Sequence, residues 1–449
     1  MTIHVVSILL LVVAFVIATL LPINLGAIAL VAAFIIGSIV LEGTPDDIAD
    51  GIFAGFPGGL FVTLAGVTFL FAIARANGTV DWLVHKAVRS VRGRIVFIPW
   101  IMFAVTAVLT AAGSVVPAAV AIIAPVGLSL AVRHRINPVL MGLSIINGAT
   151  AGGFSPISIF GGITNGVVAE AGLPGNPLIL FLGSLIFNIL LNVVMFFLFG
   201  GRELFGRVAE HAAVAPAHEV APGGGPGAAS SRTTGATGAG FTDGEPAPVT
   251  TLDLNRSLTL VALLGVAVGA LGFQLDVGLL AVTAAVLLSL VAPNAYKGAV
   301  AQVAWPTVLL VCGVATYVNL MEENGTIDVL GEGVAAIGSP VIAALLICFI
   351  GAVVSAFAST TGILAALIPL AVPLLLGGQI GAVGVITALA ISSSVVDSSP
   401  YSTSGALTVA NSPEEHRDYV YRRLLQWGMA MVVVAPIVTW ILLVLPGWL

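Results

Sequence analysis

Charge is what this sequence has least of: 8% of its 449 residues are Asp, Glu, Lys or Arg, against 59% hydrophobic residues and a mean hydropathy of +1.14. Soluble globular chains carry roughly a quarter charged residues, so a water-soluble protein is excluded and the chain lives in a bilayer. Cysteine is almost missing. Cys312 and Cys348 sit on different apolar segments without metal-ligand spacing, which leaves them to pack as small hydrophobes. His4, His85, His134, His211, His218 and His416 fall at termini, surfaces or a linker, and no lysine falls in an apolar core run. A buried serine nucleophile therefore has no base, a histidine zinc site has no ligands, and no Walker-type glycine loop is present. An enzyme and an ATP-driven pump are set aside, and neither a cofactor nor a nucleic-acid partner is expected.

What is present is a series of apolar runs long enough to span as helices. The first lacks a basic start and a small-residue cleavage site and has a counterpart at 257, so it reads as a true span. The chain also repeats itself. Asn77-Gly78-Thr79 returns as Asn324-Gly325-Thr326, 247 residues on, and "FSPISIFG" aligns with "SSPYSTSG" at an offset of 244, pairing Ser155 with Ser399, Pro156 with Pro400, Ser158 with Ser402 and Gly161 with Gly405. The first repeat occupies 1–200, with spans at 4–21, 25–42 and 58–76, a hairpin at 96–132, a broken helix at 137–169 and a span at 177–200. The second occupies 257–449, with spans at 257–273, 276–292 and 304–321, a hairpin at 340–377, a broken helix at 381–411 and a span at 424–446. Between them, 201–256 is rich in Ala, Pro, Gly, Ser and Thr and reads as a disordered linker.

Charge placement argues for topology. With five crossings per half and the second half inverted, all 15 lysines and arginines fall on one face, and Glu42, Asp46, Asp47, Asp50, Glu170, Asp276, Glu322, Glu323, Asp328 and Glu332 on the other. The positive-inside rule makes the basic face and the linker cytoplasmic and puts both termini outside. The small polar middles "TAAGSVVPAA" and "SAFASTTGIL" suit re-entrant tips, and the short segments after "ANGT" and "ENGT" suit helices lying along the membrane surface. Tryptophans 82, 100, 305, 427, 440 and 448 lie near span ends and read as interfacial anchors. The fold class is an all-α polytopic membrane protein of two inverted repeats, each with five transmembrane helices, one re-entrant hairpin and one broken helix.

Four stretches place irregular, polar backbone at membrane depth: the tip at Gly113-Ser114, the break "NGATAGGFSPIS", the tip at Ser359-Thr360-Thr361, and the break "SSSVVDSSPYSTS". Such backbone is tolerated only where protein or a water-filled cavity satisfies it, and in inverted repeats a tip and a break from each half converge on a binding site. Helix N-termini suit an oxyanion, while carbonyls and hydroxyls suit Na+ or a proton-bearing group. The duplicated Ser-Pro-x-Ser-x-x-Gly pattern reads as more than packing requires. Asp397, the one acid placed in the core, has Gly153 as its repeat counterpart. It reads as a cation ligand, a protonatable coupling group, or a cap on the half-helix that follows. Asn147 and Asn165 flank the first break within reach of a substrate, and Asn188 with Asn192 reads as a hydrogen-bonded stripe between helices.

The segments "LLPINLGAIALVAAFIIG", "DGIFAGFPGGLFVTLAGVTFLFAIARANGTVDWLVHKAVR" and "SVVPAAVAIIAPVGL" resemble the MatC-type dicarboxylate (malonate) carriers through the first half. Over nearly the whole chain except the linker, the tip-and-break plan is similar to the divalent anion:sodium symporters of the ion transporter superfamily. That resemblance implies a homodimer in membrane lipid, an elevator motion, and a Ser-Asn-Thr signature at each tip ahead of a proline. Ser359-Thr360-Thr361 with Pro369 keeps two of those three positions, whereas Gly113-Ser114-Val115-Val116 departs from them. The residues and the resemblance together assign substrate contacts to Ser114, Asn147, Thr150, Ser155, Asn165, Thr360, Thr361, Ser399 and Pro400. They assign the cation, Na+ being the only metal expected, to Gly113, Gly152, Gly153, Ser155, Pro156, Ser359, Asp397 and Ser398. The expected function is Na+- or H+-coupled symport of a small dicarboxylate such as malonate, malate or succinate across the cytoplasmic membrane. A passive anion channel and a carrier of another oxyanion are the contrasting readings.

Overall fold

Each apolar run becomes a helix, because backbone at membrane depth has to satisfy its own N–H and C=O groups. The computed structural model describes the chain apart from residues 1, 22, 91–93, 208–251, 294, 295, 328, 330–338, 358, 359, 377, 379, 448 and 449. Most of the expected linker, most of the segment after Asn324-Gly325-Thr326, Trp448 and Ser359 lie outside the described residues. The first half comprises α1 (Thr2–Leu20), α2 (Leu25–Val40), α3 (Pro45–Ala54), α4 (Gly58–Ala76), α5 (Thr79–Ser90), α6 (Ile98–Ala111), α7 (Val116–Arg133), α8 (Pro138–Gly152), α9 (Ile159–Glu170) and α10 (Pro177–Leu198). The second comprises α11 (Leu254–Phe273), α12 (Val277–Val291), α13 (Trp305–Glu323), α14 (Pro340–Ser355), α15 (Thr360–Leu376), α16 (Ala382–Val395), α17 (Thr403–Ala410) and α18 (Glu414–Thr439). Among the described residues there is no strand, and six helical stretches are long and apolar enough to cross a membrane. The protein is an all-α polytopic membrane protein.

Contacts recur in matched pairs. Helix α4 packs on α12 as α13 packs on α2, α6 on α8 as α14 on α16, α10 on α8 as α18 on α16, and α9 on α15 as α17 on α7. Small residues permit the closest crossings. A Cβ on Gly26 would stand 2.0 Å from the Leu309 carbonyl oxygen and one on Gly313 2.2 Å from that of Gly26; at the matching crossing, one on Gly278 would stand 2.6 Å from the Thr63 nitrogen and one on Gly66 2.8 Å from the Gly278 oxygen.

The Asn-Gly-Thr repeat locks each half to the first helix of the other. Asn77 Oδ1 accepts from the Thr79 backbone at 3.0 Å and its hydroxyl at 2.6 Å, while Asn77 Nδ2 donates to Thr259 Oγ1 of α11 at 2.7 Å. Asn324 does the same, receiving both Thr326 donors and giving Nδ2 to Ser7 Oγ of α1 at 3.3 Å. The glycine between has φ of +74° at Gly78 and +73° at Gly325, the left-handed turn that ends one helix and begins the next.

Trp427 faces protein rather than lipid, with its ring centroid 5.9 Å from that of Phe199. It is buried among Leu143, Met195, Val396 and Met431, and its indole Nε1 has no partner. The α18 helix runs past it from Glu414, so the residue sits a few turns inside the helix rather than at its end.

Candidate functional site

The two breaks are one backbone device used twice. Helix α8 stops at Gly152, and α9 restarts behind Ser158, whose hydroxyl donates to the carbonyls of Gly153 and, at 2.6 Å, Ser155 and accepts from the Gly161 N–H at 3.4 Å. Helix α16 stops at Val395, and α17 restarts behind Ser402, whose hydroxyl donates to the carbonyls of Asp397 and, at 2.8 Å, Ser399 and accepts from Gly405 at 3.2 Å. A Cβ on Gly161 would lie 2.0 Å from the Ser155 carbonyl oxygen, and one on Gly405 1.9 Å from that of Ser399. The duplicated Ser-Pro-x-Ser-x-x-Gly pattern therefore has a backbone reason: a cap for the second half-helix and space for a turned carbonyl.

At the first break, Ser155 Oγ donates to the Ala111 carbonyl at the end of α6 at 3.0 Å, tying break to hairpin. The tip there turns on Gly113, with φ of +110°, and lies against Val67 of α4. Ser114 is buried and donates to the neighbouring Val115 carbonyl at 3.2 Å. Gly152 lets α8 reach α6, since its Cβ would stand 2.0 Å from the Ala107 carbonyl oxygen. Thr150 bonds back to Ile146, and Asn147 Nδ2 points at Met195 Sδ, 3.5 Å away. Pro156 and Asn165 are half-buried, Asn165 in the middle of α9.

At the second break, Asp397 is 4% exposed, and its Oδ2 accepts from Ser404 Oγ at 2.7 Å; the Thr360 hydroxyl reaches the same carboxylate from the hairpin. Thr360 is itself bonded to Ser355 Oγ across the tip at 2.9 Å. Asp397 is not the cap of α17, a role held by Ser402. Ser398 bonds back to Val395 at 3.0 Å, Ser399 lies against Gly428 of α18 and accepts from the Tyr401 N–H at 3.3 Å, and Thr361 and Pro400 are buried beside them. Thr360 and Asp397 thus meet directly, as do Ser155 and the first hairpin. No hydrogen bond among the described residues joins the assigned residues of the first break to those of the second.

A cavity of about 300 Å³ opens beside the second break, between it and the helices α1, α2 and α13. Phe357, Gly362, Tyr401 and Thr403 line one side and Phe15, Leu25 and Leu310 the other. Phe357 at the tip stacks on Tyr401 of the break, ring centroids 5.6 Å apart, and Tyr421 of α18 hydrogen-bonds the Tyr401 hydroxyl at 3.2 Å. Sequence reading passed over Phe357 and Tyr401, although Tyr401 lies in the quoted pattern opposite Ile157. The one visible signal was an aromatic hydroxyl in one copy where the other has an aliphatic chain. Chemically, the cavity offers the hydroxyls of Tyr401 and Thr403, the Asn24 amide, the start of an eight-residue helix and an apolar wall, while the Asp397 carboxylate lies buried within the same break without lining it.

Residues 1–153 match the model for the dicarboxylate carrier protein MatC N-terminus, and residues 258–448 match the citrate transporter family. The first match ends at the first break, and the second takes in the whole second repeat. No curated relative is matched. Both are families of transporters, and the two matches, one on each half, support a transporter of carboxylates and are consistent with a MatC-type dicarboxylate carrier.

Proposed function

We propose that the chain is a cation-coupled symporter that moves a small dicarboxylate such as malonate, malate or succinate through the cytoplasmic membrane. The observation that carries this reading is the buried Asp397 carboxylate, held by the Ser404 hydroxyl with Thr360 of the second hairpin beside it, in a break whose residues Tyr401 and Thr403 line a cavity of about 300 Å³. A carboxylate at membrane depth without a basic partner needs a cation, Na+ or H+, to neutralise it, and a dianion brought into the same place adds to that need. Loading of the cation then favours loading of the anion, and an empty carrier returns only with Asp397 protonated or with its charge otherwise compensated. In the elevator reading, hairpins and breaks move together past α2, α4, α12 and α13 in a homodimer, with both termini outside and residues 201–256 in the cytoplasm.

The test is radiolabelled malonate uptake into proteoliposomes under imposed Na+ or pH gradients. Saturable uptake driven by one of those gradients, accelerated by unlabelled dicarboxylate on the far side, is the expected result. Unsaturable flux without that acceleration would make the chain an anion channel, and gradient-driven uptake of a different oxyanion would replace the cargo.

A further inference from the structure

Two asparagines on α10 carry hydrogen-bonding atoms that no protein group satisfies. Asn188 and Asn192 are both 0% exposed. Asn188 Nδ2 donates to its own helix at Ser184 O, 2.9 Å, and leaves Oδ1 unpartnered; neither Oδ1 nor Nδ2 of Asn192 has a partner. Ser144 Oγ on α8 is equally buried and equally unpartnered. The hydrogen-bonded stripe expected of this pair is therefore not made between helices.

The asparagines share one face of α10, and Ser144 lies on α8, the helix packed against it. Ser184, Asn188, Asn192 and Met195 recur at i, i+4, i+8 and i+11, a single face of α10. Both ends of that face touch α8: Ser184 Oγ approaches the Thr150 carbonyl at 3.5 Å, and Met195 Sδ lies 3.5 Å from Asn147 Nδ2. The asparagines between those ends lie on that same face, and Ser144 precedes Asn147 by one turn of α8.

A dry seam of this kind is costly at membrane depth, and what fills it has to suit the atoms present. A cation would take the oxygens and strand the Asn192 Nδ2 donor. An anion would do the reverse. Interchanging the oxygen and nitrogen of Asn192 changes nothing, because both ends are orphaned. Water accepts and donates at once, and two to four polar partners are what an internal water needs. We propose that the α8–α10 seam is an internal water site whose ligands are Asn188 Oδ1, both ends of the Asn192 amide and Ser144 Oγ. This water gives α8 an exchangeable contact with α10. The site does not depend on which solute is carried.

Radiolytic hydroxyl-radical footprinting of the full chain in nanodiscs tests it, because bound water converts to radicals in place and Met195 sulfur borders the seam while having no exposed surface. At a dose that oxidises the half-exposed His416, Met195 is expected to gain oxygen while Met102 and Met141, equally buried but in apolar surroundings, stay unmodified. In Asn192→Leu and in Asn188→Leu the Met195 label is expected to be lost. A wild-type Met195 as silent as Met102 and Met141 overturns the proposal without any variant, so a variant that fails to fold does not shelter it. Labelling that persists in Asn192→Leu removes that residue as a ligand, and labelling abolished when Na+ replaces choline overturns water in favour of a cation.

Discussion

In the first break, Gly153 lies under the Phe160 ring and a Val116 methyl, each 3.1 Å from where a Cβ would stand, and Phe160 packs on Phe154 with centroids 5.4 Å apart. Shift those positions by the repeat offset of 244, and Gly153, Val116, Phe154 and Phe160 become Asp397, Thr360, Ser398 and Ser404. The same fold thus holds an apolar plug in one half and an acid surrounded by hydroxyls in the other. The shared serine and glycine specify the bend, and the four exchanged positions specify what the bend contains. An aspartate at 153 would be buried against phenyl and valine with no donor to meet it, which is why only one copy carries the acid.

Four pairs of substitutions sharpen or break that comparison. Gly161→Ala and Gly405→Ala are expected to have the largest effect and an equal one. Each forces a carbonyl to move, costs upwards of about 4 kcal/mol, and removes the monodisperse peak in detergent; tolerance of one but not the other would mean the bends are not the same device. Asp397→Asn comes next. It should fold, by thermal unfolding, and lose gradient-driven uptake, whereas Gly153→Ala should retain it; a wild-type cation dependence in Asp397→Asn removes the coupling role. Phe160→Ala and Ser404→Ala separate plug from cage. The first should lower stability by about 3–5 kcal/mol and keep the cation dependence of uptake, and the second should keep the fold and raise the half-saturating cation concentration roughly tenfold, the worth of one hydrogen bond to a charged group. The smallest effects belong to Ser158→Ala and Ser402→Ala, each losing a helix cap worth about 1 kcal/mol by thermal unfolding.

The repeat was legible because two sequence matches, Asn-Gly-Thr and Ser-Pro-x-Ser-x-x-Gly, both serve local backbone geometry. Turns and caps need particular residues at fixed spacing, so they show in one dimension. The polar cage was only half legible. Asp397 stood out as a lone acid, but its partner Ser404 looked like any other hydroxyl, and its partner Thr360 belongs to a hairpin more than 35 residues earlier in the chain. Phe357 and Tyr401 hid for another reason: aromatic residues in an apolar sequence carry no contrast until the cavity they line is seen. Trp427 misled because proximity to a span end in sequence says nothing about which face of the helix it occupies. Asn188 and Asn192 do share a helix face, but the hydrogen-bonded stripe expected between helices is not made, because that depends on what the facing helix presents.

The paired Asn-Gly-Thr clamps also bear on the order in which the chain matures. Helix α1 leaves the ribosome before any of the second half, but several of its polar partners are made long after it: Asn324 holds Ser7 Oγ, the Tyr317 hydroxyl donates to the Ser7 carbonyl at 2.7 Å, and His4 meets Thr326 at 3.1 Å, each more than 300 residues downstream. Helix α1, already packed on α2, must therefore wait with those polar groups unpaired until the second half arrives.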